Sequence, residues 1–189
     1  MSIIDWLIPR GQQPLLTALL IHPERSFSVR ELINLGGSSA GAQNIISRLV
    51  AAGVAVEEKV GNQRRLRANP KYPLYPELRA IVTKTFGIAD LVRQALEPFR
   101  DGLRQAFIFG SMASGTDRAD SDIDLMLVGD VTDYVDLSNA MHALGDEIGR
   151  PVHFHLYGVE EWRDLLDKDN VVGAIAKGPK IEIEASHGT

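Results

Sequence analysis

The stretch that most constrains the fold of this chain spans residues 105–130, where two apolar segments enclose a short polar one. Residues 106–109 are an apolar run that predicts a buried strand, and Gly110 and Ser111 end it with a tight turn. The chain returns through residues 121–128, which first alternate polar and apolar side chains and then become continuously apolar. This pattern predicts two strands joined by a turn and a short polar segment.

Two acidic side chains stand at the start of the second strand. Side chains two apart on a strand share a face, so Asp122 and Asp124 are expected to project together, beside the Gly110-Ser111 turn. Adjacent carboxylates repel each other, and a cation offsets that repulsion. Hard oxygen ligands of this kind suit magnesium. Because a glycine and a serine at a strand-to-helix turn can offer N–H groups and a hydroxyl to a phosphate, the pattern predicts a nucleoside triphosphate with its ion.

This arrangement resembles the signature of the polymerase-beta-like nucleotidyltransferase superfamily in its minimal form. An apolar residue precedes Gly110-Ser111, ten residues follow, and Asp122-x-Asp124 then begins an apolar strand. The resemblance extends over about residues 99–183. It implies that Asp122 and Asp124 hold Mg²⁺ or Mn²⁺, and that Gly110 and Ser111 bind the β and γ phosphates of a nucleoside triphosphate.

The third carboxylate of the family has no counterpart in this chain. In active members it lies on the next core strand, and matching that strand to residues 151–157 puts His153 in its position, with His155 on the same face. Two-metal phosphoryl chemistry needs enough negative charge to hold two cations about 3.5–4 Å apart. A neutral imidazole supplies none. The candidate catalytic residues are therefore Asp122, Asp124 and His153, with the third acid replaced.

Four interpretations of this replacement stay open. The domain binds a nucleotide with one metal and does not turn over, or it catalyses slowly with His153 as general base. Alternatively, His153 and His155 bind a transition metal together with Asp122 and Asp124. Finally, the two histidines only pack and hydrogen-bond near the edge of the sheet.

Charge is unevenly distributed along the chain. Residues 1–100 contain 13 Lys and Arg against 8 Asp and Glu, a net charge of +5. Residues 101–189 contain 7 against 17, a net charge of −10. The asymmetry favours a basic binding module joined to an acidic, metal-using one.

The first part of the chain has the element order of a winged helix-turn-helix. Helices are predicted at 14–21, 29–35 and 40–52. The second opens on a capping box formed by Ser28 and Glu31, and a hairpin around Gly61-Asn62 follows the third. Over residues 14–68 the chain resembles winged-helix transcriptional regulators.

That resemblance implies double-stranded DNA as a partner. In helix-turn-helix proteins the second helix of the motif lies in the major groove. The corresponding helix here offers side chains that can bond base edges or phosphates: Ser38, Ser39, Gln43, Asn44 and Arg48. The hairpin adds basic residues for flanking phosphates: Lys59, Arg64, Arg65 and Arg67. The alternative is a winged helix that makes only protein contacts, with these residues solvated.

The expected fold class is α/β in the α+β sense, with two domains and a linker. A winged helix-turn-helix domain is predicted at 1–69, and a nucleotidyltransferase-like mixed sheet with flanking helices at 100–189. The helical linker at 70–99 carries apolar stripes that suit a core or a homodimer seam. A two-fold dimer would present two reading helices to a palindromic site.

We expect a cytoplasmic protein without a membrane partner, because cysteine is absent, the start lacks a secretory leader and no apolar run reaches membrane-spanning length. The predicted function is a DNA-binding transcriptional regulator whose nucleotidyltransferase-like domain binds NTP–Mg²⁺. One alternative is an active nucleotidyltransferase that transfers NMP to a hydroxyl acceptor on protein, RNA or a small molecule. Another is an antitoxin-like protein with a toxin partner, because minimal nucleotidyltransferase domains occur in such pairs.

Overall fold

The computed structural model describes residues 4–36, 39–118 and 121–183, with only the backbone of Ser39. Over these residues the chain has nine α-helices and two sheets, which confirms the predicted mixed α/β class. It divides into two compact units, Ile4–Ile88 and the residues from Ala89 onward. The division falls inside the segment 70–99, which the sequence predicts as a linker.

The first unit combines helices with a three-stranded antiparallel sheet in the order β1–β3–β2. Its elements are α1 (Gln13–Ile21), β1 (Phe27–Ser28), α2 (Val29–Leu35), α3 (Ser39–Ala51), β2 (Ala55–Val60), β3 (Gln63–Ala68) and α4 (Tyr75–Lys84). The three predicted helices and the hairpin are present, with ends shifted by at most one residue. Buried apolar residues between the helices and the sheet form its core: Leu15, Leu19, Phe27, Leu32, Ile46 and Leu66.

The predicted capping box at the start of α2 is confirmed. The Glu31 N–H donates to Ser28 Oγ at 3.2 Å, and the Ser28 N–H donates to Glu31 Oε2 at 2.7 Å. Two backbone donors that the helix leaves unpaired are thereby satisfied. The hydrogen bond from the Ser28 backbone, followed by that with its side chain, lowers the pKa of Glu31.

The second unit is built on a four-stranded mixed sheet in the order β6–β5–β4–β7. Its elements are α5 (Ile88–Leu96), β4 (Leu103–Phe109), α6 (Gly110–Ser114), β5 (Ile123–Gly129), α7 (Tyr134–Ile148), β6 (Val152–Tyr157), α8 (Val159–Lys168), α9 (Asn170–Lys177) and β7 (Ile181–Glu182). Strands β5 and β6 are parallel, and the other pairs are antiparallel. Strand β5 begins two residues later than predicted, so Asp122 lies just outside it.

The centre of this sheet is buried on both faces, as the continuous apolar run of β5 implies. On one face Phe107, Met126 and Val128 pack with Trp162 of α8 and Val172 of α9. Alternation along β5 puts Asp124 on the same face as Met126, beyond the end of this cluster. The acidic site therefore lies at the end of the sheet where β4 passes into α6.

The helices of the predicted linker bury part of their apolar stripes within one chain, whereas Leu78, Ile81 and Phe86 are partly exposed. Val82 on α4 and Leu91, Val92 and Leu96 on α5 are all buried, and α4 packs against α1. The homodimer stays a prediction, and these buried residues do not supply its seam. None of the helices in the described ranges is long and apolar enough to cross a membrane.

Candidate functional site

The carboxylate of Asp124 lies against the bend at Gly110. Phe109 at the end of β4 is paired with Asp124 on β5, which brings the turn beside the strand that carries the acid. Gly110 has φ 70°, and a Cβ at this position would lie 2.4 Å from Asp124 Oδ2. Only glycine meets both conditions, because its left-handed backbone is strained for other residues and the carboxylate occupies the space of a side chain.

The second acid, Asp122, is in contact with His153. Asp122 Oδ2 lies 3.3 Å from His153 Nε2, and the two side chains are 48% and 61% exposed. The parallel register pairs Asp124 with His153 across β5 and β6. Because paired residues on adjacent strands share a face, the two acids and the imidazole form one solvent-accessible group.

The other predicted histidine has a different neighbour. His155 is paired in register with Met126, and its ring lies 6.2 Å from the ring of Phe109, centroid to centroid. Within the described residues, no group of three or more His, Cys, Asp or Glu side chains is placed to hold a metal ion. A transition-metal centre built from both histidines and both aspartates is therefore not formed in this part of the chain.

The donor set fits one magnesium ion better than two. Mg²⁺ is usually bound by one or two carboxylates together with substrate phosphates and water, so Asp122 and Asp124 fit an ion that arrives with a triphosphate. A second ion would need further negative charge, and His153, which the register pairs with Asp124, supplies none. The two carboxylates alone therefore suit one such ion and not two.

The sequence interpretation missed Arg150, which contacts the loop that carries Asp122, and Asp117 within that loop. Arg150 is only 6% exposed, and its Nη1 is 3.6 Å from Oδ2 of Asp117, whose side chain is 9% exposed. Its Nε donates to the carbonyl of Ser121, and its Nη2 donates to that of Asp122 at 3.5 Å. No sequence signal pointed to this arginine, because an arginine before a proline in a loop predicts a solvated residue.

The exposed face of α3 carries most of the polar residues predicted to read DNA. The side chains on it are Gln43, Asn44, Ser47 and Arg48. Ser47 was missed, although it lies three residues after Asn44 and so shares its face. Ser38 and the side chain of Ser39 lie outside the described residues.

The arginines predicted for the hairpin already have acidic or polar neighbours within the chain. Arg64 makes a two-point contact with Glu57, with Nε to Oε1 at 2.7 Å and Nη2 to Oε2 at 2.8 Å. This hydrogen-bonded pair lowers the pKa of Glu57 and raises that of Arg64. Arg67 lies 3.5 Å from Glu58.

Of the other two basic residues of the hairpin, Arg65 has partners within the chain and Lys59 is exposed. Arg65 bonds the hydroxyl and the carbonyl of Ser26 and lies 3.8 Å from Glu31. Lys59 on β2 is exposed. The hairpin therefore presents less unbalanced positive charge than its sequence suggested.

Comparison with known proteins gives a family match within the second unit and one similar solved structure. A solved structure of a provisionally assigned nucleotidyltransferase from Sulfolobus solfataricus is 20% identical, over 55% of this chain and 84% of that chain, with a TM-score of 0.32. A likeness at that TM-score adds no argument. No curated protein matches the chain. Residues 93–168 match the family described as polymerase beta, nucleotidyltransferase, and this segment, which includes both acids and the Gly110 bend, is a nucleotidyltransferase-like domain.

Proposed function

We propose that this protein is a DNA-binding transcriptional regulator whose nucleotidyltransferase-like domain binds a nucleoside triphosphate with one Mg²⁺. The main support for nucleotide binding is the contact between the Asp124 carboxylate and the Gly110 bend. A triphosphate bound at the bend would have its cation within reach of the acids.

Each residue of the proposed nucleotide site has a distinct role. Asp122 and Asp124 hold Mg²⁺, or Mn²⁺ in its place, through carboxylate oxygens. Gly110 and Ser111 bind the β and γ phosphates through backbone N–H groups and the serine hydroxyl. The bound ion neutralises phosphate charge. His153 stands beside Asp122 without adding negative charge, which favours binding over turnover.

The DNA half rests on the first unit, which we propose is a winged helix. Its α3 exposes Gln43 and Asn44, whose amides match adenine edges in the major groove, and Arg48, which suits guanine or phosphate. By their residue type, Ser38 and Ser39 suit base or phosphate contacts. The hairpin, with Lys59, Arg64, Arg65 and Arg67, makes the weaker contribution because three of these residues have intramolecular acceptors.

The proposal is tested with the full chain and an operator selected from random duplexes. Fluorescence anisotropy would measure its affinity with and without each of ATP, GTP, CTP and UTP in Mg²⁺. We expect one nucleotide to change operator affinity in the wild type and not in Asp124→Asn. Asn44→Ala should lose sequence preference by about 1–3 kcal/mol while keeping its salt dependence. Operator affinity that no nucleotide alters would contradict the regulatory half.

An active nucleotidyltransferase is the second candidate, and the intact bend and acid pair favour it. In that case His153 acts as general base on a hydroxyl of protein, RNA or a small molecule. The assay is incubation with labelled triphosphates and Mg²⁺ or Mn²⁺. Label that appears on an acceptor in the wild type, and disappears in Asp124→Asn, would replace the non-catalytic proposal.

Two predicted partners need separate measurements. Light scattering of the chain alone and on its operator would report the homodimer, which should have twice the monomer mass. A toxin partner would have to co-purify with the chain and lose its toxicity in the complex. Neither partner is required by the nucleotide site.

A further inference from the structure

We infer that Arg150 is a positioning residue for Asp122: it holds the backbone that carries one of the two proposed metal-binding carboxylates. The effect that we expect of Arg150 on metal binding rests on the proposed function. The claim that Arg150 controls where the Asp122 carboxylate lies does not depend on that function.

Arg150 lies on the turn that joins α7 to β6. Helix α7 ends at Ile148 and is capped by Gly149, which has φ 75°, and the Arg150 N–H still donates to the Gly145 carbonyl at 3.1 Å. The next residue, Pro151, accepts a hydrogen bond from the Ile123 N–H at 2.8 Å through its carbonyl. The turn is therefore already attached to the first residue of β5.

The guanidinium extends this attachment to the two residues before β5. Its Nε donates to the Ser121 carbonyl, and its Nη2 donates to the Asp122 carbonyl at 3.5 Å. Its Nη1 lies 3.6 Å from Asp117 Oδ2, earlier in the same loop. One side chain thus contacts Asp117 as well as the two residues immediately before β5.

Asp124 and Asp122 are held in position by different parts of the structure. Asp124 lies inside the ladder, between Phe109 on β4 and His153 on β6. Asp122 precedes the first residue of β5 and has no register partner in the ladder. The position of its carboxylate therefore depends on the loop, and the loop carbonyls at Ser121 and Asp122 are the ones that Arg150 holds.

A purely stabilising role explains this arginine poorly. Among the described residues, Arg150 is the one charged residue that is almost fully buried, and its Nη1, although 3.6 Å from Asp117 Oδ2, makes no hydrogen bond. Burying a guanidinium with an incomplete set of partners is costly, and well-packed apolar residues often stabilise such a site more. A planar fork that can hold two carbonyls at once is instead suited to fixing the direction of a chain.

The test uses the His153 ring, which touches Asp122, as a spectroscopic reporter in the full chain without metal. The ¹H–¹⁵N signals of the His153 imidazole would be compared in the wild type, Asp122→Asn, Arg150→Met and Arg150→Lys. We expect Arg150→Met to move them towards their positions in Asp122→Asn. Arg150→Lys should move them in the same direction, because one ammonium group cannot hold both carbonyls. Arg150→Lys also keeps the positive charge, so it can be measured if Arg150→Met does not fold.

The matched control is Arg118→Met, which removes an exposed arginine from the same loop. It should leave the His153 signals unchanged. Mn²⁺ alone would then be titrated into each variant, and the Arg150 variants should bind it about 10–100-fold more weakly than Arg118→Met. A loss of thermal stability alone would move neither measurement.

The inference would be overturned by wild-type His153 signals in both folded Arg150 variants, by equal changes in Arg118→Met, or by unchanged signals in Asp122→Asn. Equal Mn²⁺ affinities in the wild type and the Arg150 variants would overturn its consequence for metal binding. If the wild type itself binds no Mn²⁺, the proposed nucleotide site fails, and the His153 signals still decide whether Arg150 positions Asp122.

Discussion

Gly110 is the residue at which the bend and the acid meet, and its missing side chain is what allows the contact. We predict that Gly110→Ala lowers the free energy of unfolding by about 1–2 kcal/mol through backbone strain. It should also weaken Mn²⁺–ATP binding, because the new methyl group would displace the Asp124 carboxylate. Urea unfolding and calorimetric titration would measure the two effects.

A second glycine separates these two effects. Gly61 has φ 58°, and a Cβ added there would have nothing within 4 Å, so Gly61→Ala carries similar strain without touching an acid. It should lower stability by a similar amount and leave Mn²⁺–ATP binding unchanged. Equal loss of binding in the two variants would mean that strain alone, and not the contact with Asp124, is responsible.

We predict that a third acid at position 153 increases the affinity of this site for cations. In His153→Asp, three neighbouring carboxylates should repel one another, so the melting temperature should fall without metal and recover more than in the wild type with Mn²⁺. Thermal melts at several Mn²⁺ concentrations would show this. His142→Asp, exposed on α7, is the charge-matched control. A smaller Mn²⁺ response than in the wild type would argue against a cation site here.

At the scale of elements, the capping box decides how α2 begins. Ser28→Ala removes the acceptor for the Glu31 N–H and should lower the free energy of unfolding by about 1 kcal/mol. Ser47→Ala, on the exposed face of α3, should change it by less than about 0.5 kcal/mol. Urea titration at neutral pH would compare the two, and an equal effect would indicate that the box contributes nothing.

The same box makes a pH-dependent contribution through Glu31. The Ser28 backbone hydrogen bond lowers the pKa of Glu31 in the folded state. Its stabilisation is therefore present above the unfolded pKa of about 4.3 and is lost as the pH falls through the lowered folded pKa. The stability difference between the wild type and Glu31→Gln should accordingly shrink in acid.

The β2–β3 hairpin is an element whose positive charge is partly neutralised by its own glutamates. Glu57→Gln should free Arg64 for phosphate, raise non-specific DNA affinity at low salt and steepen the logarithmic salt slope by about 1. Glu77→Gln on α4 changes the net charge equally, away from the hairpin, and should leave the slope unchanged. A slope that stays constant in Glu57→Gln would mean that this hairpin does not contact DNA.

At the scale of the whole molecule, each compact unit has its own buried residues, so each is expected to unfold by itself. The chain has two tryptophans, and Trp162 is buried in the second unit. In a Trp6→Phe background, the fluorescence of Trp162 would report the unfolding of the second unit in urea. Leu127→Ala should lower the midpoint of this transition, because it reduces the free energy of unfolding by about 2–5 kcal/mol. Leu66→Ala, in the first core, should not move it. Equal shifts would mean that the two units unfold as one.

Local patterns in the sequence were enough to predict the helices and strands, their order and the position of the bend at Gly110. A capping box, a Gly-Asn hairpin turn, and an apolar strand broken by Gly110 are each fixed by residues a few positions apart. The sequence also placed His153 on the strand beside β5, and the parallel register pairs it with Asp124. Its position in place of a third acid stays a prediction.

Only the folded chain shows which charged side chains are already paired with other groups of the protein. Arg150 and the Ser121 carbonyl are 29 residues apart in sequence, and Arg65 and Ser26 are 39 apart, so no local pattern could predict either contact. The hydrogen bond of Arg150 to the Asp122 carbonyl, just before β5, likewise joins residues that are 28 apart in sequence. Burial and pairing are set by long-range packing, and these determine whether a charge in the sequence can meet a ligand.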